Sequence, residues 1–483
     1  MDTTARINAG SAGADARPAI GSPAWRSLWR IRCGSLLIPL GHAAAQNIVT
    51  LLGLRFLTDN LGVAAAAAGM IFAVVKIYDG LLDPAVGAWS DNFGWNWARE
   101  RWGRRLPFLF AGGLAMPLGV VLLFGAPDFG SVLVAELFVT LALIIHATGY
   151  TLLTIPGFAM VVEASEDHHE RTRLMAWRVL GNSIGMLIGS ALPARLLAVW
   201  GEDRHAHLGM SLVIAGIVLV AVLVAVWCMR DAPRTVPSQT APARFSLARQ
   251  ARLAWANRPF RTLAMAHVLL LLGTAIGSAA LAYFSRYVLQ KSDAWLGSYI
   301  LVATIATVAS MPLWVRGTAI VGKKAGYMGA MTVYGLMQLA WLTATPAEAM
   351  SVQVVRAAII GVASGGMILC AYAMLSDAVR YDYIQSGERR EGAFAGFTTL
   401  FDKLSAALAL ALMGWILAGM GYAPSVHGTG AVQSASALLG IRICLAVIPA
   451  LSMLGAVLIV AGYHLDPASL LDPPVDGLDP VAD

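Results

Sequence analysis

The sequence predicts an all-α integral membrane protein of about twelve transmembrane helices in two six-helix bundles. Three observations carry that expectation. Of 483 residues, 58% are hydrophobic and only 13% charged, about half the ~25% charged fraction of a soluble domain. Apolar runs of about 20 residues, enough to cross a hydrocarbon layer of ~30 Å, recur along nearly the whole chain. Basic residues also gather in every second loop, and a polar segment at 230–259 divides the runs six and six.

The elements follow in order. Residues 1–33 are expected to form a cytoplasmic tail, because 1–24 are rich in Ala, Gly, Ser and Pro and lack the apolar core of a cleavable signal peptide. The first run, 34–57, passes through a short DNLG link to the second, 63–90, which ends in Arg99, Arg101, Arg104 and Arg105. Runs 106–126 and 131–161 are joined by APDFG, and Arg171 and Arg173 follow them. Runs 174–199 and 208–229 flank GEDRHAH and complete a first bundle, 34–230. A linker, 231–258, is expected to be cytoplasmic. The second bundle, 259–465, holds runs 260–289 and 294–315 around LQKSD, then Lys323 and Lys324, then 323–345 and 350–378 around TPAEA. Arg380, Arg389 and Arg390 precede the last two runs, 394–421 and 436–463, and a polar tail follows from 466 to 483.

Lys and Arg in short loops are held on the cytoplasmic side, so this alternation places both termini in the cytoplasm and suggests a bacterial inner membrane. The net charge of +6 then reflects topology and contact with anionic membrane lipid rather than nucleic acid. Four cysteines, Cys33, Cys228, Cys370 and Cys444, stand singly and support neither a disulfide framework nor a metal site. No phosphate-binding loop, dinucleotide fingerprint or HExxH sequence points to an enzyme or a cofactor, and nothing points to an obligate protein partner. A transporter is the expectation, because two similar helical halves are the architecture of proteins that rock around a site near the bilayer midplane.

Charge inside the spans is the strongest functional signal, since each such residue costs at least ~2.5–3.5 kcal/mol at a helix centre. Asp79 and Asp83 stand four apart in the second run, Arg178 lies in the fifth, and Asp402 and Lys403 lie in the eleventh. The two acids share one helical face, and close like charges should make the pair keep a proton or hold a cation. Pro84 cannot donate to the carbonyl of Gly80, which leaves a further oxygen beside them. In an alternative, purely structural reading the acids pair with Arg178 and Lys403 to lock helices together. Near span ends, Arg55, Arg195, Arg286, Arg356 and Arg442 are expected to snorkel to water, and Trp200, Trp295 and Tyr422 to anchor the interface. His42, His146 and His267 are candidates for lining a cavity or relaying protons.

These residues carry a resemblance. Lys76-Ile-Tyr-Asp79-Gly-Leu-Leu-Asp83-Pro84, then Ser90-Asp91, then Arg101-Trp-Gly-Arg104-Arg105-Leu-Pro107-Phe, resembles the signature of the glycoside-pentoside-hexuronide:cation symporter family, of melibiose permease-like proteins. Further matches are Tyr150-Thr151-Leu-Leu-Thr154-Ile-Pro156, Ser376-Asp377-Ala-Val-Arg-Tyr381-Asp382-Tyr, Gly387-Glu-Arg389-Arg390-Glu391-Gly392 and Phe401-Asp-Lys403-Leu. The resemblance implies a major facilitator fold and cation-coupled uptake of a sugar, glycoside or hexuronide by alternating access, driven by H⁺ or Na⁺. It places the cation at Asp79, Asp83 and Thr151, with Lys403 and Arg178 as charge partners in the cavity. Solute would meet Thr154, Phe158, Arg178 and Lys403. Asp91, Arg101, Arg104 and Arg105 resemble a charged cytoplasmic gate, with Asp377, Asp382, Glu388 and Glu391 of the other half as partners.

The pattern also departs from the family. Leu82 stands where an Asn commonly precedes the second acid, which removes an amide oxygen suited to Na⁺ and favours H⁺. Ala43 and Thr154 replace two sugar-gripping aspartates, and Phe158 replaces a tryptophan. A site that has lost its hydroxyl acceptors binds a neutral disaccharide poorly, so an acidic glycoside attracted by Arg178 and Lys403 is favoured. The loss of those acids also admits an amphipathic solute such as a lysolipid as the alternative.

Overall fold

The computed structural model describes residues 23–91, 102–103, 105–163, 168–201, 203–230, 255–386, 391–424 and 432–465. Helices dominate them: α1 (Pro23–Asp59), α2 (Ala65–Asp91), α3 (Leu106–Phe124), α4 (Val132–Glu163), α5 (His168–Trp200), α6 (Arg204–Met229), α7 (Arg258–Val288), α8 (Asp293–Val321), α9 (Lys323–Leu339), α10 (Met350–Ser386), α11 (Glu391–Gly419) and α12 (Ala435–Ala461). Eleven are long and apolar enough to cross a membrane. The other, α9, has 17 residues and runs on into a tight turn at Ala340–Thr343. The chain is a multi-pass membrane protein. Several helices outrun their expected spans, α1 and α10 reaching 37 residues each.

Helices α1 to α6 pack as one bundle and α7 to α12 as another, meeting mainly through α2 against α11 and α5 against α8. Lipid gives apolar faces no reason to leave it, so small residues decide where helices close up. On α5, Gly181, Gly185 and Gly189 recur every fourth residue, and a Cβ on each would lie 2.0, 2.4 and 2.3 Å from the carbonyl oxygens of Leu36, Leu40 and Ala44. The backbones of α1 and α5 therefore touch along three turns. Across the two bundles, a Cβ at Gly414 would fall 2.4 Å from the Ala65 carbonyl and one at Gly69 2.6 Å from that of Leu410. The halves are thus tightly apposed at the end where α2 begins and α11 finishes.

Polar groups seal that same end. Arg55, at the end of α1, places two guanidinium nitrogens 2.7 and 2.6 Å from the carboxylate of Asp293, which opens α8, and both side chains are almost wholly buried. Asp59 is fully buried and accepts hydrogen bonds from Tyr422 at 2.5 Å, Tyr287 at 2.8 Å and Thr58 at 3.0 Å, with Arg286 at 4.0 Å. Tyr287 and Arg286 lie in a wide turn at Phe284–Val288, closed by the Leu289 amide donating to the Phe284 carbonyl at 2.9 Å. A second wide turn interrupts α12 at Ile443–Val447.

Four sequence expectations change here. Arg55 does not snorkel, nor does Arg356, which is buried, paired with Glu348 at 2.9 Å and stacked over Trp341. Each finds a carboxylate close to the nearby span end, which compensates burial. Tyr422 and Trp295 are buried rather than interfacial, one bonded to Asp59 and the other donating to Gln353 at 2.6 Å.

Candidate functional site

Helix α2 carries Lys76, Asp79 and Asp83 at helical spacing on the face turned toward α4 and α11. Asp79 is 1% exposed. The Thr151 hydroxyl of α4 lies 2.9 Å from Oδ1 of Asp79 and 2.9 Å from Oδ1 of Asp83. It has one proton for two acceptors, so the acids share it. From the other bundle, Lys403 of α11 brings its Nζ to 2.5 Å from Asp83 Oδ2, 3.2 Å from Asp79 Oδ2 and 3.0 Å from the Asp79 carbonyl. That carbonyl is one residue before the Gly80 oxygen that Pro84 leaves without a helical donor. Lys76 adds a second ammonium, 3.7 Å from Asp79 Oδ2. Two carboxyl groups thus face two amino groups, and their formal charges sum to zero when all four are ionised.

Arg178 pairs with neither acid. Its guanidinium lies 5.2 Å above the ring of Phe158, and its buried Nη1 has no hydrogen-bond partner among the described residues. Thr151, Thr154 and Phe158 share one face of α4. Thr154 donates to the Tyr150 carbonyl at 3.0 Å, which leaves its oxygen free to accept. Tyr150 stands between the parts, one residue before Thr151 and with its carbonyl accepting from Thr154. His42 packs edge-on against Tyr150 at 5.5 Å, and its buried Nε2 has no hydrogen-bond partner among the described residues. Asp402 turns away from its neighbour Lys403 and bonds His267 Nε2 at 3.0 Å.

The expected gate is only partly visible. Asp91 closes α2, but its side chain, together with Arg101, Arg104, Glu388 and the side chain of Glu391, lies outside the described residues. Arg105 is buried and precedes α3. Asp377 is bound to Lys323 of its own bundle at 2.7 Å, and Asp382 lies 3.4 Å from Asn257, the residue that caps the start of α7. The sequence reading missed Lys76, although its spacing from Asp79 was a usable signal. It also missed Asp59, whose partners are distant in sequence.

The family model described as "MFS/sugar transport protein" matches residues 34–467. The chain is 27% identical to the "Inner membrane symporter YicJ" of Escherichia coli (strain K12), over 88% of this chain and 90% of that one. It is 26% identical to the "Glucuronide carrier protein homolog" of the same organism, over 90% and 93% respectively. Among solved structures, an inward-facing, unoccupied bacterial homologue of the human lysosomal transporter Spinster superposes with a TM-score of 0.65 at 16% identity, covering 92% of this chain and 100% of that one. It has the same fold.

Proposed function

The chain belongs to the MFS/sugar transport protein family, a transporter and not an enzyme, and from that premise we propose that it is a cation-coupled symporter of an acidic glycoside or hexuronide. The observation that carries the reading is Lys403, a lysine of one bundle held between two aspartates of the other. A cation entering a cluster already neutral leaves one positive charge in excess, and an uncompensated buried charge is costly. The cation therefore displaces Lys403 from the acids. The freed ammonium then needs an anion, and Arg178 on Phe158 presents a second unsatisfied cationic donor for it. A carboxylate-bearing solute satisfies both. Cation and solute favour the same arrangement, and each raises the other's affinity by the same factor.

The positive-inside pattern puts the termini in the cytoplasm, so the sealed end, with Arg55–Asp293 and Asp59, faces outward, and the protein sits in the bacterial inner membrane. Opening that end while closing the other is the alternating-access step. The coupling ion is H⁺: the side chains of the site are carboxylates and one hydroxyl, and Leu82 supplies no amide oxygen for Na⁺. The amphipathic-solute reading has no comparable support, because the relatives are named as a symporter and a glucuronide carrier homologue.

The test is solute-dependent alkalinisation by right-side-out vesicles across neutral and acidic glycosides, with and without Na⁺. Acidic glycosides are expected to give alkalinisation without Na⁺. Asp79→Asn and Asp83→Asn should each abolish accumulation while sparing downhill exchange. If both variants still concentrate solute, the acids do not couple.

A further inference from the structure

An acid that takes no part in the central cluster stands on α11 of the second bundle. Asp402 sits within a membrane span with a side chain 45% exposed, and among the described residues His267 alone bonds it, through Oδ1 only. An intramembrane acid with one oxygen uncommitted points to a ligand or a water-filled cavity. His267 is also part of the wall of a recess between α7, α9, α10 and α11, completed by Phe260, Tyr327, Tyr372, Leu375 and Phe401. The lining is aromatic and aliphatic, and Tyr372 is 66% exposed. The recess and the central site are neighbours along α11, where Phe401 lines the one, Lys403 enters the other and Asp402 stands between them.

Resting on the glycoside reading above, we infer that this recess is the aglycone subsite. An aryl or alkyl group attached to the sugar enters between Tyr372 and Phe401. Asp402, positioned by His267, accepts hydrogen bonds from sugar hydroxyls at its mouth. The solute thereby spans both bundles, its acid on Arg178 and Lys403 and its aglycone against α10. Apolar lining with a few convergent polar groups is the usual composition of such a pocket.

The test compares binding of 4-nitrophenyl β-D-glucuronide with methyl β-D-glucuronide, and of the corresponding two glucosides, to purified full-length protein. The wild type is expected to prefer the aryl member of a pair by about tenfold, from the apolar area removed from water. Ala371→Phe, which adds a ring at a position in the recess wall, and Tyr372→Ala, at an exposed position, should each bring that ratio close to one while leaving methyl glycoside binding intact. Asp402→Asn should weaken both members of a pair by about tenfold or more, as expected on loss of a hydroxyl's charged acceptor. An aryl-to-methyl ratio near one in the wild type, or a ratio unchanged in Tyr372→Ala, overturns the subsite. So does Asp402→Asn that loses proton uptake with sugar affinity intact. If the wild type binds none of the four glycosides, the glycoside reading itself falls, and the subsite with it.

Discussion

Replacing Lys403 by alanine separates a coupling role from a structural one. The side chain holds two carboxylates and a carbonyl at 2.5, 3.2 and 3.0 Å. Deleting one partner of a buried pair typically costs ~3–5 kcal/mol, because the other charge is left uncompensated. Lys76 stays near Asp79 at 3.7 Å, so the lower figure, ~3 kcal/mol, applies. A cation that enters the vacated site recovers that energy and has no ammonium to displace. At ~1.4 kcal/mol per tenfold, cation affinity without solute should rise about a hundredfold. Its dependence on solute should vanish, since the exchange of Lys403 between acid and solute is the link. Proton uptake on acidification and Na⁺ titration of the purified protein, each with and without a glucuronide, measure both quantities. If cation affinity in Lys403→Ala stays as in the wild type and still responds to solute, the lysine is structural. The double variant Lys403→Ala, Asp83→Asn should recover stability in either case, which traces the single variant's loss to the uncompensated carboxylate.

Three further outcomes are expected. Tyr422→Phe removes one hydrogen bond to the buried Asp59, a loss of ~1.5–3 kcal/mol, and should raise labelling of a Thr154→Cys reporter from the outer side at least tenfold. Glu170, which precedes the α5 span, has its carboxyl held below its usual range by hydrogen bonds from Arg32 at 2.8 and 2.9 Å. Its contribution is therefore complete above about pH 4.5, the unfolded value, and is lost as pH falls through the depressed folded value. Thermal melts should show the wild type losing its advantage over Glu170→Gln only below that pH. Gly185→Leu would drive a side chain into the Leu40 carbonyl, 2.4 Å from where its Cβ must lie, and should prevent recovery of monodisperse protein in detergent, while Gly216→Leu, with open space around it, should not.

Much of the molecule was readable from the chain because membranes make exceptions expensive. Asp79, Asp83 and Lys403 stood out as charged groups where lipid or helix packing should be, Thr151 came from the family resemblance, and the four meet in space. Arg178 stood out for the same reason, but its partner is the face of Phe158, and nothing in a cation's position tells whether it pairs with an acid or a ring. Arg55, Trp295 and Tyr422 were misread because charge and aromatics at span ends are equally compatible with the lipid interface and with a seal between bundles. What separates the cases is a contact 238 residues away for Arg55 and 363 for Tyr422. The length of α9 was legible only as hydropathy, and its shortness reflects the turn into which it runs.

The wide turn at Phe284–Val288 holds one more residue than a regular helical turn would. Such turns occur singly inside ordinary helices and are frequent at functional sites. Each residue of an α-helix advances by about 100°, as 3.6 per turn requires. Excising one residue there would restore an unbroken helix and rotate everything beyond it by that angle. Tyr287 and Arg286, the groups that turn toward Asp59, owe their bearing to this phase slip. A one-residue length difference at this point between otherwise alignable relatives would therefore mark a change in how the outer end is latched, even where every charged residue is retained.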